Sequence, residues 1–285
     1  MAESDTQFDA LASLNALMAR WSPADVPECL SMHKHILPPS RVGGSDPEYG
    51  SAQTIDRWLA QLVTRNRPRK VLDLGCGFGV ALYFVSTLSD CETIGLNSSR
   101  YCIERANQFW RQRLQYSGIR FVHGGFCETE LADDYDAILA IEALGYMENP
   151  RQTLAWIYRA MAPGGRLWVL DDWRCTTEGS NSAVTSMCHY WRKSQFWPLA
   201  AVLDTAVSIG FEVEETVDLT ERVIATAKPP APRRRVLLET AARLPGPAGE
   251  LARAFAGGWF LELLYTRGHA RYTLLQLKRP EPGGV

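Results

Sequence analysis

Five short apolar runs, KVLDL, TIGL, IRFV, YDAILA and RLWVLD, follow one another between Lys70 and Asp171, most of them separated by helix-like segments. A strand whose chain returns through a helix pairs with the next strand in parallel. This rhythm therefore restricts the chain to an α/β sheet with helices on its faces. The linkers agree. SSRYCIERANQFWRQRLQYSG reads as a helix stopped by Gly118, and NPRQTLAWIYRAMAPGG as one with Pro150 near its start and Gly164–Gly165 past its end. Beyond Asp172 the rhythm changes, because WRCTTEGSNSAVTSMCHYWRKSQFWP is aromatic and irregular. A helix at Leu199–Ser208 then leads through Gly210 into FEVEETVDL, and a proline-rich break, AKPPAPRRR, precedes more helix before RYTLLQLKR closes as a strand. Upstream, Phe8, Leu11, Leu14, Leu17 and Met18 recur at helical spacing, and a loop rich in Pro and Gly leads to a second helix at Ala52–Thr64.

Charge and cysteine usage narrow the class. The formal net charge is −2, with acids and bases mixed along the chain, so the strongly basic face that nucleic acid demands is not foreshadowed. The N-terminus opens acidic and polar, without the positive start and apolar run of a signal peptide. No window reaches the roughly 18 uninterrupted apolar residues of a membrane span. The 7 cysteines are odd in number and scattered, with no CxxC pair. Reduced thiols and a cytoplasmic location are expected, rather than a disulfide framework or zinc site. His33 and His35 in MHKHIL are a short-range histidine pair, but nothing around them supplies further ligands, so no metal is assigned.

The first strand runs into VLDLGCGFG, Val71–Gly79. Glycines at 75, 77 and 79 let the backbone turn tightly and approach a ligand, while the next helix start points amide donors into the crevice. A dinucleotide fingerprint would place its third small residue at Val80. Here the glycine falls one residue early, and Asp73 stands two residues before Gly75. That arrangement resembles motif I of the class I methyltransferases that use S-adenosylmethionine (SAM). An acid near the loop suits a cofactor carrying an ammonium and a sulfonium, and would repel a pyrophosphate. The resemblance covers roughly Pro68 to Asp171. Within it, IGLNSSRYCIERAN is similar to the group typified by tocopherol and cyclopropane fatty acid methyltransferases. The resemblance implies cofactor contacts from Asp73, Gly75, Cys76, Gly77, Gly79, Asn97, Ser98, Phe126 and Ile141. Asn97 stands where many class I enzymes hold the ribose with an acid, and an amide both donates and accepts. Cys102 and Gly125 depart from the group, which often has Gln at the first position and an adenine-contacting Asp at the second.

Ligands of open α/β sheets bind beyond the carboxyl ends of the strands, so YDAILAIE delivers Glu142 to the same crevice. Three roles are open to it: a carboxylate near the sulfonium, a general base, or an acid favoured by the dipole of the helix beginning at MENPRQ. The family pattern here is roughly E-[AS]-x-x-[HY], and IEALGY puts Tyr146 in the last place. Many O-methyltransferases of this group carry His there. A tyrosine, with a reference pKa of about 10, is a poor base at neutral pH. Glu with Tyr resembles the terpenoid C-methyltransferases, in which an alkene attacks the methyl group and a carboxylate deprotonates the resulting cation between aromatic faces. Glu142 and Tyr146 are thus the candidate catalytic residues, with His189 as the base of an O-methylating alternative.

The segment from His189 to Val223 resembles the lid and sixth-strand region of the same group. His189, Tyr190, Trp191 and Arg192 within it, and Tyr265 further along the chain, are the candidate substrate contacts. A diphosphate acceptor would draw cations from Arg41, His33, Lys34, Arg174, Arg192, Lys193 and Arg233–Arg235, with Mg²⁺ as its companion. Asp171 and Asp172 read either as magnesium contacts or as caps. The expected fold is α/β: a Rossmann-like class I methyltransferase whose seven-stranded sheet has its last strand antiparallel. A helical cap would occupy 1–65, the SAM-binding core 66–172, and a lid or substrate region 173–285, interleaved with the last two strands. The preferred activity is SAM-dependent C-methylation of an isoprenoid alkene, a short prenyl diphosphate first among acceptors. The alternatives are O- or N-methylation of a small secondary metabolite, and a SAM-binding cyclase or binding protein that transfers no methyl. A small-molecule partner is expected, without nucleic acid, and a homo-oligomer is compatible with the composition.

Overall fold

The computed structural model describes residues 31, 33–34, 55–113, 118–175, 182–223 and 231–283. The helix expected around Phe8–Met18 lies outside them. The first described helix, α1 (Ile55–Thr64), precedes β1 (Lys70–Leu74), α2 (Val80–Leu88), β2 (Glu92–Asn97), α3 (Arg100–Arg113) and β3 (Ile119–His123). The chain continues through β4 (Tyr135–Ile141), α4 (Pro150–Ala160), β5 (Met161–Arg174), α5 (Ser182–Trp191), α6 (Leu199–Ile209) and β6 (Glu212–Asp218). It finishes with α7 (Ala231–Arg243), α8 (Gly246–Thr266) and β7 (Ala270–Lys278). The seven strands form one sheet in the order β3-β2-β1-β4-β5-β7-β6. β1 to β5 pair in parallel, and β7 runs antiparallel between β5 and β6. This is the sheet expected from the sequence.

Both faces of the sheet are covered, which is why the central strands read as unbroken apolar runs rather than alternating ones. On one face Ile55, Leu59 and Val63 of α1 and Leu82 and Val85 of α2 pack on Val71, Leu139 and Leu170. On the other, Leu154 and Ile157 of α4 and Val202 and Ala206 of α6 pack on Leu72, Ile138 and Val169. Each such aliphatic side chain contributes about 1.5–3 kcal/mol by leaving water. The helix starts are marked locally: Pro150 opens α4, and the Asn149 side chain accepts from the Gln152 N–H at 3.1 Å.

Gly164 and Gly165 lie past the end of α4, as expected, within β5, which begins at Met161. The Gly164 N–H donates to the Arg279 carbonyl at 2.8 Å and the Arg279 N–H to the Gly165 carbonyl at 2.9 Å, so a segment distant in sequence draws the glycine pair into the sheet. One sequence expectation needed correction: the aromatic stretch after Asp172 is not irregular throughout, since it contains α5. Ala183 and Met187, one turn apart, bury against Leu261 and Leu264 of α8. The small residues of α8 admit the crossing: the Trp191 N–H donates to the Ala254 carbonyl at 2.9 Å, and a Cβ on Gly257 would meet the indole at 2.2 Å. No helix among the described residues is long and apolar enough to cross a membrane.

Candidate active site

Beyond Leu74 the chain turns through Gly75, Gly77 and Gly79, all in the left-handed region with φ of 80°, 52° and 77°. At Gly75 a Cβ would stand 2.5 Å from the Ala143 Cβ, so the segment after β4 lies directly on the glycine turn. The Gly75 and Cys76 N–H groups donate to the Leu96 carbonyl at 2.8 and 3.1 Å, pinning the turn to β2. The Trp110 indole N–H donates to the Phe78 carbonyl at 2.6 Å, pinning it to α3. The sequence reading missed Trp110; its signal was a tryptophan on a buried helix face, whose N–H must find an acceptor. Cys76 turns its thiol toward Gly95 and the core, where burial raises its pKa well above the usual range, so what it offers a ligand is backbone. The Ile141 side chain is likewise part of the core.

Asp73 is buried, and no described residue donates a hydrogen bond to it. Burial lifts its carboxyl pKa to about 7 despite the attraction of His33. A buried carboxyl favours a cationic partner, which suits the ammonium end of SAM. The Asn97 Oδ1 accepts from the Ser99 N–H at 2.8 Å, which leaves its amide N–H groups as its offer to a ribose hydroxyl. Ser99 in turn caps α3 by accepting from the Cys102 N–H at 3.1 Å. Ser98 is exposed, and Phe126 is half-buried with its ring 6.3 Å from that of Trp156.

Glu142 stands next to this turn with a left-handed φ of 52°. Strict alternation along β4 would send it to the face of Ile138 and Ala140. The positive φ, a strain of about 1–3 kcal/mol, instead lets the carboxylate meet Tyr272 of β7. Its Oε1 accepts from the Tyr272 hydroxyl at 2.9 Å and the Lys34 backbone N–H at 3.1 Å, with the Lys34 ammonium at 3.3 Å. Every one of these contacts falls on Oε1. Burial alone would raise the Glu142 pKa, but Lys34, His33 and the hydrogen bonds outweigh it and hold the group below the usual carboxylate range. The Lys34 ammonium also bridges to Asp172 Oδ2 at 2.8 Å and lies 4.7 Å from the Tyr272 ring centroid. The Tyr265 hydroxyl donates to Asp172 Oδ1. Glu142 makes no cap for α4, where Asn149 does that work, so the helix-dipole role is set aside.

Asp171 points away from Asp172, as neighbours on a strand must. It accepts from the Gly145 N–H at 2.7 Å and the Asp172 N–H at 2.8 Å, which fastens the turn Leu144–Tyr146 beside β5. Burial raises Asp171 to about 6 against the pull of Lys193. The Lys193 ammonium stands 4.4 Å from the Tyr146 ring centroid. Burial, with Asp171 and Glu142 nearby, pushes the Tyr146 phenol far above its ordinary value, so it stays neutral. The two aspartates serve as anchors on different faces, and no group of three His, Cys, Asp or Glu suited to a metal occurs among the described residues.

The lid candidates divide. Tyr265 joins the Glu142 network through Asp172. Tyr190 stacks on Phe260 with centroids 5.9 Å apart, and Trp191 is the α5–α8 contact described above. His189 is exposed, its ring edge-on to Tyr190. Arg192 pairs with Glu250 at 2.7 Å. Arg41 and His35 lie outside the described residues. Tyr272, not among the sequence candidates, is a side chain that donates to Glu142.

Ser31, His33 and Lys34 form a strap over the crevice. The Ser31 hydroxyl donates to Asp56 Oδ2 at 2.5 Å, and His33 Nδ1 lies 3.1 Å from Asp56 Oδ1. Burial would lower the His33 pKa, but Asp56, with help from Glu142 and Asp73, raises it to about 9. A raised histidine pKa stabilises below its unfolded value near 6.5, and the stabilisation is lost as pH climbs through 9. Amide exchange at Ser31–Lys34, corrected for the intrinsic rise with pH, should therefore accelerate between pH 7 and 10. Exchange that keeps the intrinsic slope would show that the His33–Asp56 pair does not hold the strap.

Known proteins resemble this chain in sequence and in fold. A family model described as a methyltransferase domain matches residues 49–216. The sterol 24-C-methyltransferase of Debaryomyces hansenii is 30% identical over 176 residues, covering 59% of this chain and 46% of that protein. The chain thus spans about half the length of the curated relatives it matches. Among solved structures, the [4+2]-cyclase SpnF superposes with a TM-score of 0.67 at 19% identity over 98% of this chain and 97% of that one. Geranyl diphosphate C-methyltransferase from Streptomyces coelicolor A3(2) gives 0.67 at 17% identity over 96% and 97%. With the family model spanning more than half of its length and a crevice that fits SAM, the chain belongs to the methyltransferase domain family.

Proposed function

We propose that the chain is a SAM-dependent C-methyltransferase acting on an isoprenoid alkene, with Glu142 as the base. One observation carries this reading: among the described residues, the donors to Glu142 gather on Oε1, and Oε2 is the oxygen proposed to face an acceptor. Bound SAM supplies an electrophilic methyl group. Transfer of that methyl group to the π pair of an acceptor alkene would leave a tertiary cation on the acceptor. Glu142 Oε2 then takes a proton from the adjacent carbon, and the C–H electrons close a new alkene.

A carboxylate held below its usual pKa is too weak a base for a hydroxyl acceptor, which calls for a pKa near the working pH. It is adequate for a carbocation, whose neighbouring protons are very acidic. The rings of Tyr272 and Tyr146 already face the Lys34 and Lys193 ammoniums, so Tyr265, whose phenol burial keeps neutral, is the ring proposed to face such a cation. His189, the base named for O-methylation, is exposed on α5.

Sterol 24-C-methyltransferases among the relatives and geranyl diphosphate C-methyltransferase among the structural neighbours carry C-methylation in their names, which supports the reaction class. The head group is a separate matter. Among the described cations proposed for a diphosphate, Lys34, Arg192 and Lys193 already face carboxylates of this chain. This charge balance supports an uncharged isoprenoid as strongly as a prenyl diphosphate with Mg²⁺.

Incubation with methyl-labelled SAM and a panel of free isoprenoids and prenyl diphosphates, the latter with and without Mg²⁺, tests the reading. Label on carbon supports it. Conversion of SAM only with hydroxyl or amine acceptors would sink it, and retained SAM binding without any turnover would favour the cyclase or binding-protein alternative.

Asp73 supplies a pH test. Its raised pKa means the carboxyl stabilises the fold below about pH 4 and loses that contribution as pH rises toward 7. If Asp73 holds the SAM ammonium, binding lowers this pKa, so SAM should bind more tightly at pH 8 than at pH 6, by about fivefold for one unit of lowering and about tenfold at most, the ceiling set by a free pKa of about 7. Calorimetric titration of wild type beside Asp73→Asn reads this, and an identical pH slope in both would remove Asp73 from the cofactor contacts.

A further inference from the structure

The Lys34 ammonium occupies a particular place. It lies between Asp172 Oδ2 and Glu142 Oε1, at 2.8 and 3.3 Å, and 4.7 Å from the Tyr272 centroid. Two carboxylates and a tyrosine face are the surroundings in which an organic cation is held. A second cation brought to Glu142 would meet the Lys34 charge at close range in a site shielded from water, where repulsion is weakly screened. An uncharged acceptor meets no such opposition on entry. We propose that Lys34 is a specificity-determining residue: its ammonium fills the cation position beside Glu142 and so turns away acceptors that are already cationic, such as protonated or quaternary amines, while admitting neutral ones.

The inference rests on the reading of Glu142 as the carboxylate facing the acceptor, and it goes further by stating what the site refuses. It also gives the strap a task. Asp56 holds Ser31 and His33, which fixes the backbone from which Lys34 reaches the carboxylates. Lys34 enters the site by two routes, since its backbone N–H also binds Glu142 at 3.1 Å. That contact survives any change of side chain, so removal of the ammonium need not open the strap.

The test is a binding measurement that methyl transfer does not enter, so failure of the alkene chemistry and failure of this inference are distinguishable. The probe is an alkyltrimethylammonium ion, titrated calorimetrically into protein saturated with S-adenosylhomocysteine. Lys34→Met keeps the length of the side chain and removes its charge. Its affinity for the probe should exceed that of wild type by about tenfold or more, the scale of one unscreened like charge removed. The uncharged alkyl alcohol of equal length should bind both proteins within about twofold, a gap that decides between charge and bulk. In Lys34→Met/Glu142→Gln the gain for the ammonium probe should fall away. Equal probe affinity in wild type and Lys34→Met overturns the proposal, as does a gain shared by the alcohol, which would make Lys34 a steric plug. If Lys34→Met does not fold, Lys34→Gln answers the same question.

Discussion

Glu142→Gln is expected to lower the turnover of C-methylation by about 10³-fold, within the range for removal of a positioned base, while SAM affinity stays within about twofold. The amide keeps an oxygen to accept from Tyr272 and Lys34, so the shape of the site survives. What it loses is the free carboxylate oxygen. A loss of 10³ corresponds to about 4 kcal/mol of transition-state stabilisation. Product composition gives a second readout that a structural role would not move. A methylated cation that loses no proton to the protein is captured by water, so the residual product of the variant should shift from alkene toward alcohol. Single-turnover assay with labelled SAM and mass analysis of the product measures both. Unchanged turnover, or an unchanged alkene-to-alcohol ratio at reduced turnover, would take the base role away from Glu142. Tyr272→Phe should show a smaller loss of about tenfold, because Lys34 still holds Oε1 when one neutral hydrogen bond is gone.

Gly75→Ala carries the other large effect, on folding and cofactor binding together. The residue has φ of 80°, and its new Cβ would lie 2.5 Å from the Ala143 Cβ. Strain in the left-handed region costs about 1–2 kcal/mol, and forcing a methyl into a filled space a further 1–3 kcal/mol or so. The overlap cannot be relieved by a rotamer change, because Ala143 has none. A midpoint drop in chemical denaturation equivalent to about 3 kcal/mol is expected, with SAM binding lost. Ala143→Gly in the same chain separates the two parts: it should recover the overlap and leave the backbone strain, roughly half the loss. A Gly75→Ala protein of wild-type stability that binds SAM normally would falsify the close approach of the β4 end to the glycine turn. That approach matters because it puts Glu142 one residue from the cofactor loop.

Particular residues show where the sequence was enough. Apolar runs separated by helices determine a parallel sheet, because a buried two-sided strand has few other readings. Three glycines after such a strand determine a turn that only left-handed φ can make, and Asp73 ahead of them puts a buried carboxyl near it. The place of Glu142 at the end of β4 was legible for the same reason, since strand ends in open sheets face the crevice. Tyr190 and Trp191 show the limit. Their reading as substrate contacts rested on a resemblance, and nothing in it foreshadowed that they meet Phe260 and the Ala254 carbonyl of α8. Aromatic composition does not say which surface a ring will meet.

Sequence alone therefore determined the architecture, the cofactor class and the strand end that bears Glu142, all of them consequences of local pattern and chain direction. The tertiary structure decided the environment of that acid. Tyr272 lies 130 residues from Glu142 and Lys34 lies 108 away. No periodicity relates them; the antiparallel insertion of β7 beside β5 and the strap from the N-terminal side bring them together. The charge of Glu142, the choice of Oε1 as its anchored oxygen and the ammonium that guards it depend on Coulombic and hydrogen-bond distances of about 3 Å. Such distances exist only once the sheet has closed.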